Sequence, residues 1–175
     1  MTFRMQWLLM PPAIIVAAPC CATVYLTVEQ AQAQLMPGHT MTPVAVTLST
    51  AQVAQIEKAS GVRVREREVR AWRADSDAMF FVDRVIGKHD FITYALAINA
   101  AGAVTGLEIL EYRETYGGQV RNPAWRAQFS GKRHGAALKL DADIRNLSGA
   151  TLSCRHVTDG VKRLLATHAV IAAKR

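Results

Sequence analysis

Between Arg4 and Glu29 the chain carries no charged side chain. So long an uncharged stretch does not belong on a water-facing surface, and the residues after it must build a domain without it. Arg4 and the amino terminus place positive charge before the stretch. An apolar middle follows from Trp7 to Ala18, then small residues. This is the layout of a secretory signal. Cleavage is expected after Ala22, with Cys20 and Ala22 as the small residues. Ala31-Gln32-Ala33 also has the small-x-small form but lies far from the apolar run. The alternative is a retained anchor, because about 20 apolar residues can span a bilayer. Pro11, Pro12 and Pro19 weaken such a helix and favour the signal. Pro19 directly before Cys20 disfavours a lipoprotein. Every one of these readings places the body of the protein outside the cytoplasm, periplasmic or exported, free or anchored in the cytoplasmic membrane.

The expected organisation is a targeting segment at 1–22, a helical N-terminal part at 23–60 and the main domain at 61–175. The whole chain has 175 residues, half of them hydrophobic, which suits one domain with a real core and excludes wholesale disorder. Cys20 and Cys21 lie in the targeting segment, so Cys154 is left without an intramolecular partner and no disulfide scaffold is expected. The formal charge is +7, and removing residues 1–22 removes Arg4 and no acid. The basicity therefore belongs to the exported part and points to an anionic partner.

Local patterns predict the elements. Thr27-Val28-Glu29-Gln30 reads as a capping box opening a helix through Leu35, stopped by Pro37-Gly38. Thr47-Leu48-Ser49 leads into a second helix from Thr50 that ends near Gly61. Val62 to Arg70 alternates in charge and is expected to be a solvated edge strand. Its acids break the basic run and no recognition motif accompanies it, so no nucleic-acid partner is expected. Strands are predicted at Ala78–Gly87, Phe91–Ile98 and Val104–Leu110, the last two joined as a hairpin through Asn99–Gly102. Asn122-Pro123 starts a short helix, Ala124 to Phe129. In the last helix Val157, Val161, Leu164, Leu165, His168 and Ile171 recur at spacings of three and four, with Lys162, Arg163 and Lys174 on other faces. Gly160 costs this helix up to about 1 kcal/mol against alanine. Strands and helices come in blocks, so the class is α+β: a small antiparallel sheet packed with helices.

Chemistry concentrates just before that last helix, in Asn146-Leu147-Ser148-Gly149-Ala150-Thr151-Leu152-Ser153. A helix N-terminus presents free N–H groups and partial positive charge, which suits a phosphate. Gly149 and Ala150 permit close approach, and Ser148, Thr151 and Ser153 offer hydroxyls. On composition alone, ordinary N-capping by Ser148 or Thr151 is the favoured reading of the run. Cys154 and His156, two apart on a helix, point to different faces, so no nucleophile–base pair is expected and no catalytic residue stands out. His168 reads as a core histidine. There is no haem motif and no metal cluster in the pattern.

Ser148-Gly149-Ala150-Thr151, followed by a further hydroxyl, resembles the flavinylation motif of the bacterial FMN-binding domain. That family includes the C subunit of the sodium-translocating NADH:quinone reductase and the G subunit of the Rnf complex. Glu108 to Gly118 and Trp125 to Lys132 resemble the family's strand, Glu-Thr loop and following helix, in the family's order. The resemblance covers roughly 75–172. It implies an FMN bonded through its phosphate to Thr151, placed there by a Mg²⁺-dependent flavin transferase using FAD. It implies a cofactor site formed by Ser148, Gly149, Ala150, Thr151 and Ser153 with Glu114, Thr115, Tyr116, Gly117 and Gly118. Arg145 and Arg155 would attract the phosphate, and Tyr116 is expected either to stack on the ring or to be a surface aromatic. The function it implies is electron transfer between membrane or periplasmic partners. The other readings are a non-covalent FMN-binding or sensing module and a cofactor-free exported interaction protein.

Overall fold

Two capping boxes open the first two helices. The Thr27 side chain accepts from Gln30 N while Gln30 reaches back to Thr27 N, starting α1 (Val28–Leu35). Ser49 and Gln52 repeat the device at α2 (Thr50–Ser60), which Gly61 ends in the left-handed conformation. Both boundaries agree with the sequence patterns. The computed structural model describes residues 23–173, so the expected targeting segment and Lys174 lie outside the described residues.

The strands are β1 (Thr23–Val24), β2 (Met41–Thr47), β3 (Glu68–Ala74), β4 (Met79–Ile86), β5 (Phe91–Ile98) and β6 (Val104–Tyr112). They form one antiparallel sheet in the order β1-β6-β5-β4-β3-β2. With α3 (Pro123–Arg126) and α4 (Thr151–Ala172), the class is α+β as expected. The predicted β5–β6 hairpin is present, closing with Ile98 opposite Val104. β1 and β2, both from the stretch 23–60, are the outermost strands, and neither was predicted. β2 holds strand formers in Thr42, Val44, Val46 and Thr47, but Pro43 interrupts the run and confines it to an edge, where it pairs with β3.

Alternation along the strands sorts the core into two layers. Met79, Phe81, Val85, Ile92, Tyr94, Leu96 and Ile98 face Val157, Val161, Leu164 and Leu165 of α4. Phe80, Val82, Ala95, Ala97 and Leu110 face α1 through Ala31. α2 packs beside α4 through Leu48, Ile56, Ala166 and Val170. Each large buried side chain contributes about 1.5–3 kcal/mol.

One expectation needs correction here, and two residues of α4 do more than their sequence pattern shows. The charged run is not an edge strand: only Glu68–Arg70 of it is in β3, and β2 covers that strand's outer side. Arg163, off the apolar stripe of α4 as its spacing implies, is nonetheless held inside the protein. It is buried and donates to Asp83 Oδ2 at 2.6 Å, where the Tyr94 hydroxyl also donates at 2.9 Å. β3 pairs with β4 only as far as Arg70 opposite Val82, and a cavity of about 360 Å³ opens beyond. Arg163 spans this split, donating to Arg84 O on β4 and to Arg63 O on the facing loop. Finally, Gly160 is a packing requirement as well as a cost: a Cβ there would strike the Tyr94 hydroxyl, with Tyr94 Cζ and Val85 Cγ1 each at 2.9 Å. The glycine lets α4 cross closely over β4 and β5.

Candidate functional site

The run before α4 is pinned from below. Trp125 Nε1 donates to Arg145 O at 2.8 Å, and Gln128 Oε1 accepts from Arg145 N at 2.7 Å. Asp143 accepts from Leu138 N and Lys139 N and pairs with Lys132 at 3.2 Å. From this fixed base the chain rises through Asn146 and Leu147 and turns at Gly149, whose φ is +78°. That conformation favours glycine.

α4 then starts without a side-chain cap. Its N-cap is Ala150, and neither Ser148 nor Thr151 caps it, unlike the boxes on α1 and α2. Thr151, the first helical residue, is exposed, as are Ser148 and Gly149, whereas Ala150 and Ser153 are buried. Asn146 Nδ2 donates to Thr151 Oγ1 at 3.1 Å, holding that oxygen at the surface. A long helix thus ends outward on uncapped N–H groups, the arrangement that attracts an anion. Arg145 and Arg155 are both exposed beside it.

The second stretch singled out in the sequence lies against the first. Tyr112, the last residue of β6, touches Ser153 Oγ at 2.9 Å through its hydroxyl and bonds the carbonyl of Tyr116. Gly117 sits in the elbow, at φ +96°, where a Cβ would lie 2.5 Å from Tyr112 Oη and 2.6 Å from Ser153 Oγ. A Cβ on Gly149 would be 3.7 Å from Gln119 Nε2. Gly118 begins a short 3-10 turn, Gly118–Arg121, that carries buried Val120 toward the core. The segments 114–118 and 148–153 therefore lie against each other: Gly117 lets them close, and Gly149 leaves exposed backbone beside them.

Individual residues differ in what they offer. The Glu114 carboxylate turns back to the β4–β5 connection, accepting from His89 N at 2.5 Å and Asp90 N at 2.9 Å. Burial works to raise its pKa, but the N–H groups of Asp90, His89 and Lys88 outweigh it and hold the carboxyl below the usual glutamate value. It positions the loop. Thr115 is exposed, and Tyr116 is 84% exposed, as a surface aromatic would be. Cys154 is buried and burial pushes its thiol up, so it is a poor nucleophile. His156 Nδ1 is buried without a hydrogen-bond partner among the described residues, and no Cys–His pair is assembled. His168 meets Phe81 edge-to-face at 6.3 Å, in keeping with a core role.

Tyr112, Asn146 and Gly87 fall within the stretches read from the sequence but were given no role in the site. Gly87 is buried, and a Cβ there would lie 2.5 Å from Glu114 Oε1. Tyr112 had a signal in its place at the end of a strand, one residue before the Glu-Thr loop region. Asn146 had one in its spacing from Thr151. Gly87 had none beyond being a glycine at a strand end. Among known proteins, residues 87–166 match the family model described as the FMN-binding domain, a span that includes every element of this site. No curated protein matches the chain.

Proposed function

The chain carries an FMN-binding domain at residues 87–166 and its cofactor is FMN, and we propose that it holds the flavin covalently and works as an exported electron-transfer protein. The observation that carries the covalent reading is the surface-held Thr151 hydroxyl at an uncapped helix N-terminus, locked beside the Glu114–Gly118 loop through Ser153 and Tyr112.

The residues present fit the cofactor. Free N–H groups at the start of α4, with Arg145 and Arg155 nearby, favour a phosphate, each exposed helix-end interaction being worth about 0.3–1 kcal/mol. Gly149 is exposed and lacks a side chain where a ligand would approach the backbone, and Gly117 lets the 114–118 loop close on the helix end. Attachment exchanges one phosphoryl bond for another. The ester forms at Thr151 Oγ1 as the pyrophosphate of FAD breaks, AMP leaves, and the hydroxyl proton is released. A Mg²⁺-dependent transferase is the proposed partner for this step. Asn146 fixes the threonine oxygen, and Ser153 and Tyr112 keep the 114–118 loop against the helix end.

The flavin supplies one- or two-electron redox chemistry, and the protein's part is to hold, orient and tune it. Simple electron transfer needs no general acid or base. Covalent attachment suits a protein outside the cytoplasm, where a dissociable cofactor is lost by dilution. Export rests on the charge-free segment after Arg4, and the electron donor and acceptor are proposed to be membrane or periplasmic proteins.

Denaturing electrophoresis under blue light tests the covalent bond. Protein co-expressed with a flavin transferase should fluoresce in the gel and Thr151→Ala should be dark. A dark wild-type band, with yellow colour lost on denaturation, would establish the non-covalent reading, and a protein colourless from the start would establish the cofactor-free one.

A further inference from the structure

Large hydrophobic side chains exposed among the described residues are Val24 (64%), Phe91 (37%), Tyr116 (84%) and Leu152 (41%). They come from four separate elements, yet all lie around Tyr112. Val24 on β1 is opposite Glu111, and Thr23 is opposite Tyr112 itself. Phe91 begins β5 beside Ile92, which is paired with Tyr112, but its ring lies under the Arg84 guanidinium at 4.6 Å and lines the sheet-split cavity. Tyr116 carries the carbonyl bonded by the Tyr112 hydroxyl, and Leu152 precedes Ser153, which contacts the same hydroxyl. No such side chain is exposed at the other end of the sheet, at the β5–β6 hairpin, roughly 25 Å away at about 3.3 Å per residue.

Cations border this apolar end. Lys88, Arg121, Arg145 and Arg155 are exposed around it, Arg121 lying 3.4 Å over the Tyr25 ring, while Arg113 is paired with Glu111 at 2.8 Å. Exposed apolar and aromatic tips inside a rim of arginine and lysine suit the boundary between anionic headgroups and acyl chains. The chain's own path agrees: β1 begins at Thr23, opposite Tyr112, so the described chain enters the sheet at this same end.

We propose that this end of the domain rests on the surface of an anionic lipid bilayer, so that the site around Thr151 opens at the membrane and the β5–β6 hairpin points away from it. Val24, Tyr116 and Leu152 enter the headgroup region and the basic rim meets lipid phosphate. The proposal concerns the flavin site but needs no flavin, so it is tested in a Thr151→Ala background, where failure of the covalent reading has no effect on the result.

The exported protein, with Cys20 and Cys21 replaced by serine where the processed chain retains them, is labelled with a fluorophore at Thr115→Cys or at Ala100→Cys. Cys154 is buried and stays unlabelled. Each is combined with vesicles of equimolar phosphatidylcholine and phosphatidylglycerol carrying a headgroup spin label. The expected result is loss of fluorescence at position 115 and none at position 100, with the loss reduced by Tyr116→Ser and Leu152→Ser together. Equal quenching at both positions, stronger quenching at 100, or no response to the double variant would overturn the proposal. So would association only with membranes that contain a protein partner.

Discussion

Replacing Gly117 by alanine brings two separate costs. At φ +96° an L-residue is strained by about 1–2 kcal/mol. The new methyl also lands 2.5 Å from Tyr112 Oη and 2.6 Å from Ser153 Oγ. Relieving that overlap means moving the loop off the helix, at about 1–3 kcal/mol for overpacking, and losing a buried hydrogen bond worth about 1 kcal/mol. The expected loss is about 3 kcal/mol or more, a fall in Tm of about 6–12 °C for a chain of this size. Gly131→Ala is the control. It has a similar φ of +76° but nothing within 4 Å of its would-be Cβ, so it suffers the strain alone. Thermal and denaturant unfolding of both variants, with flavin content measured in parallel, separates the terms. Gly117→Ala should be the less stable by about 2 kcal/mol and should lose flavin, while Gly131→Ala keeps it. Equal stabilities and equal flavin content would refute the claim that Gly117 exists to bring the two halves of the site together.

Other predictions follow from the same contacts. Arg163→Met should cost about 3–5 kcal/mol in denaturant unfolding, because it leaves the Asp83 carboxylate in the sheet split without its cation; adding Asp83→Leu together with Tyr94→Phe, which removes the hydroxyl that donates to Asp83, should recover most of the loss. The lowered pKa of Glu114 gives stability that is present above the usual glutamate value and lost as pH falls through the folded value. Wild type should therefore exceed Glu114→Gln in stability near neutral pH, with the gap closing below about pH 4. The Cys154 thiol should resist alkylation in the native protein and react once the chain unfolds, which mass spectrometry of the treated protein would show.

Much of this fold was legible because local signals and tertiary structure agree. Both capping boxes, the Asn99–Gly102 hairpin, the Asn122-Pro123 helix start and the α4 periodicity can be read from neighbours a few residues apart. What escaped depends on partners distant in sequence. β1 and β2 are strands because β6 and β3 lie beside them. Arg163 looks like a surface cation until the split between β3 and β4 places Asp83 beneath it. The cost of Gly160 to its helix was visible, but its reason lies in Tyr94 and Val85 on other elements. In the site, the Ser148–Thr151 motif and the Glu-Thr loop were legible as separate segments. Their meeting was not, because it runs through Tyr112, a strand-end tyrosine whose hydroxyl has no sequence signature. Glu114 was legible as a site residue but not as the anchor of the 88–90 turn, which requires the β4–β5 connection to lie beside it.

Covalent attachment at one residue is the center of this account, and peptide mass mapping measures it directly. Protein co-expressed with a flavin transferase should yield a peptide containing Thr151 that is heavier by one FMN less one water, with fragmentation placing the added mass on Thr151. The same peptide at its unmodified mass, or the added mass on Ser148 or Ser153, would contradict it.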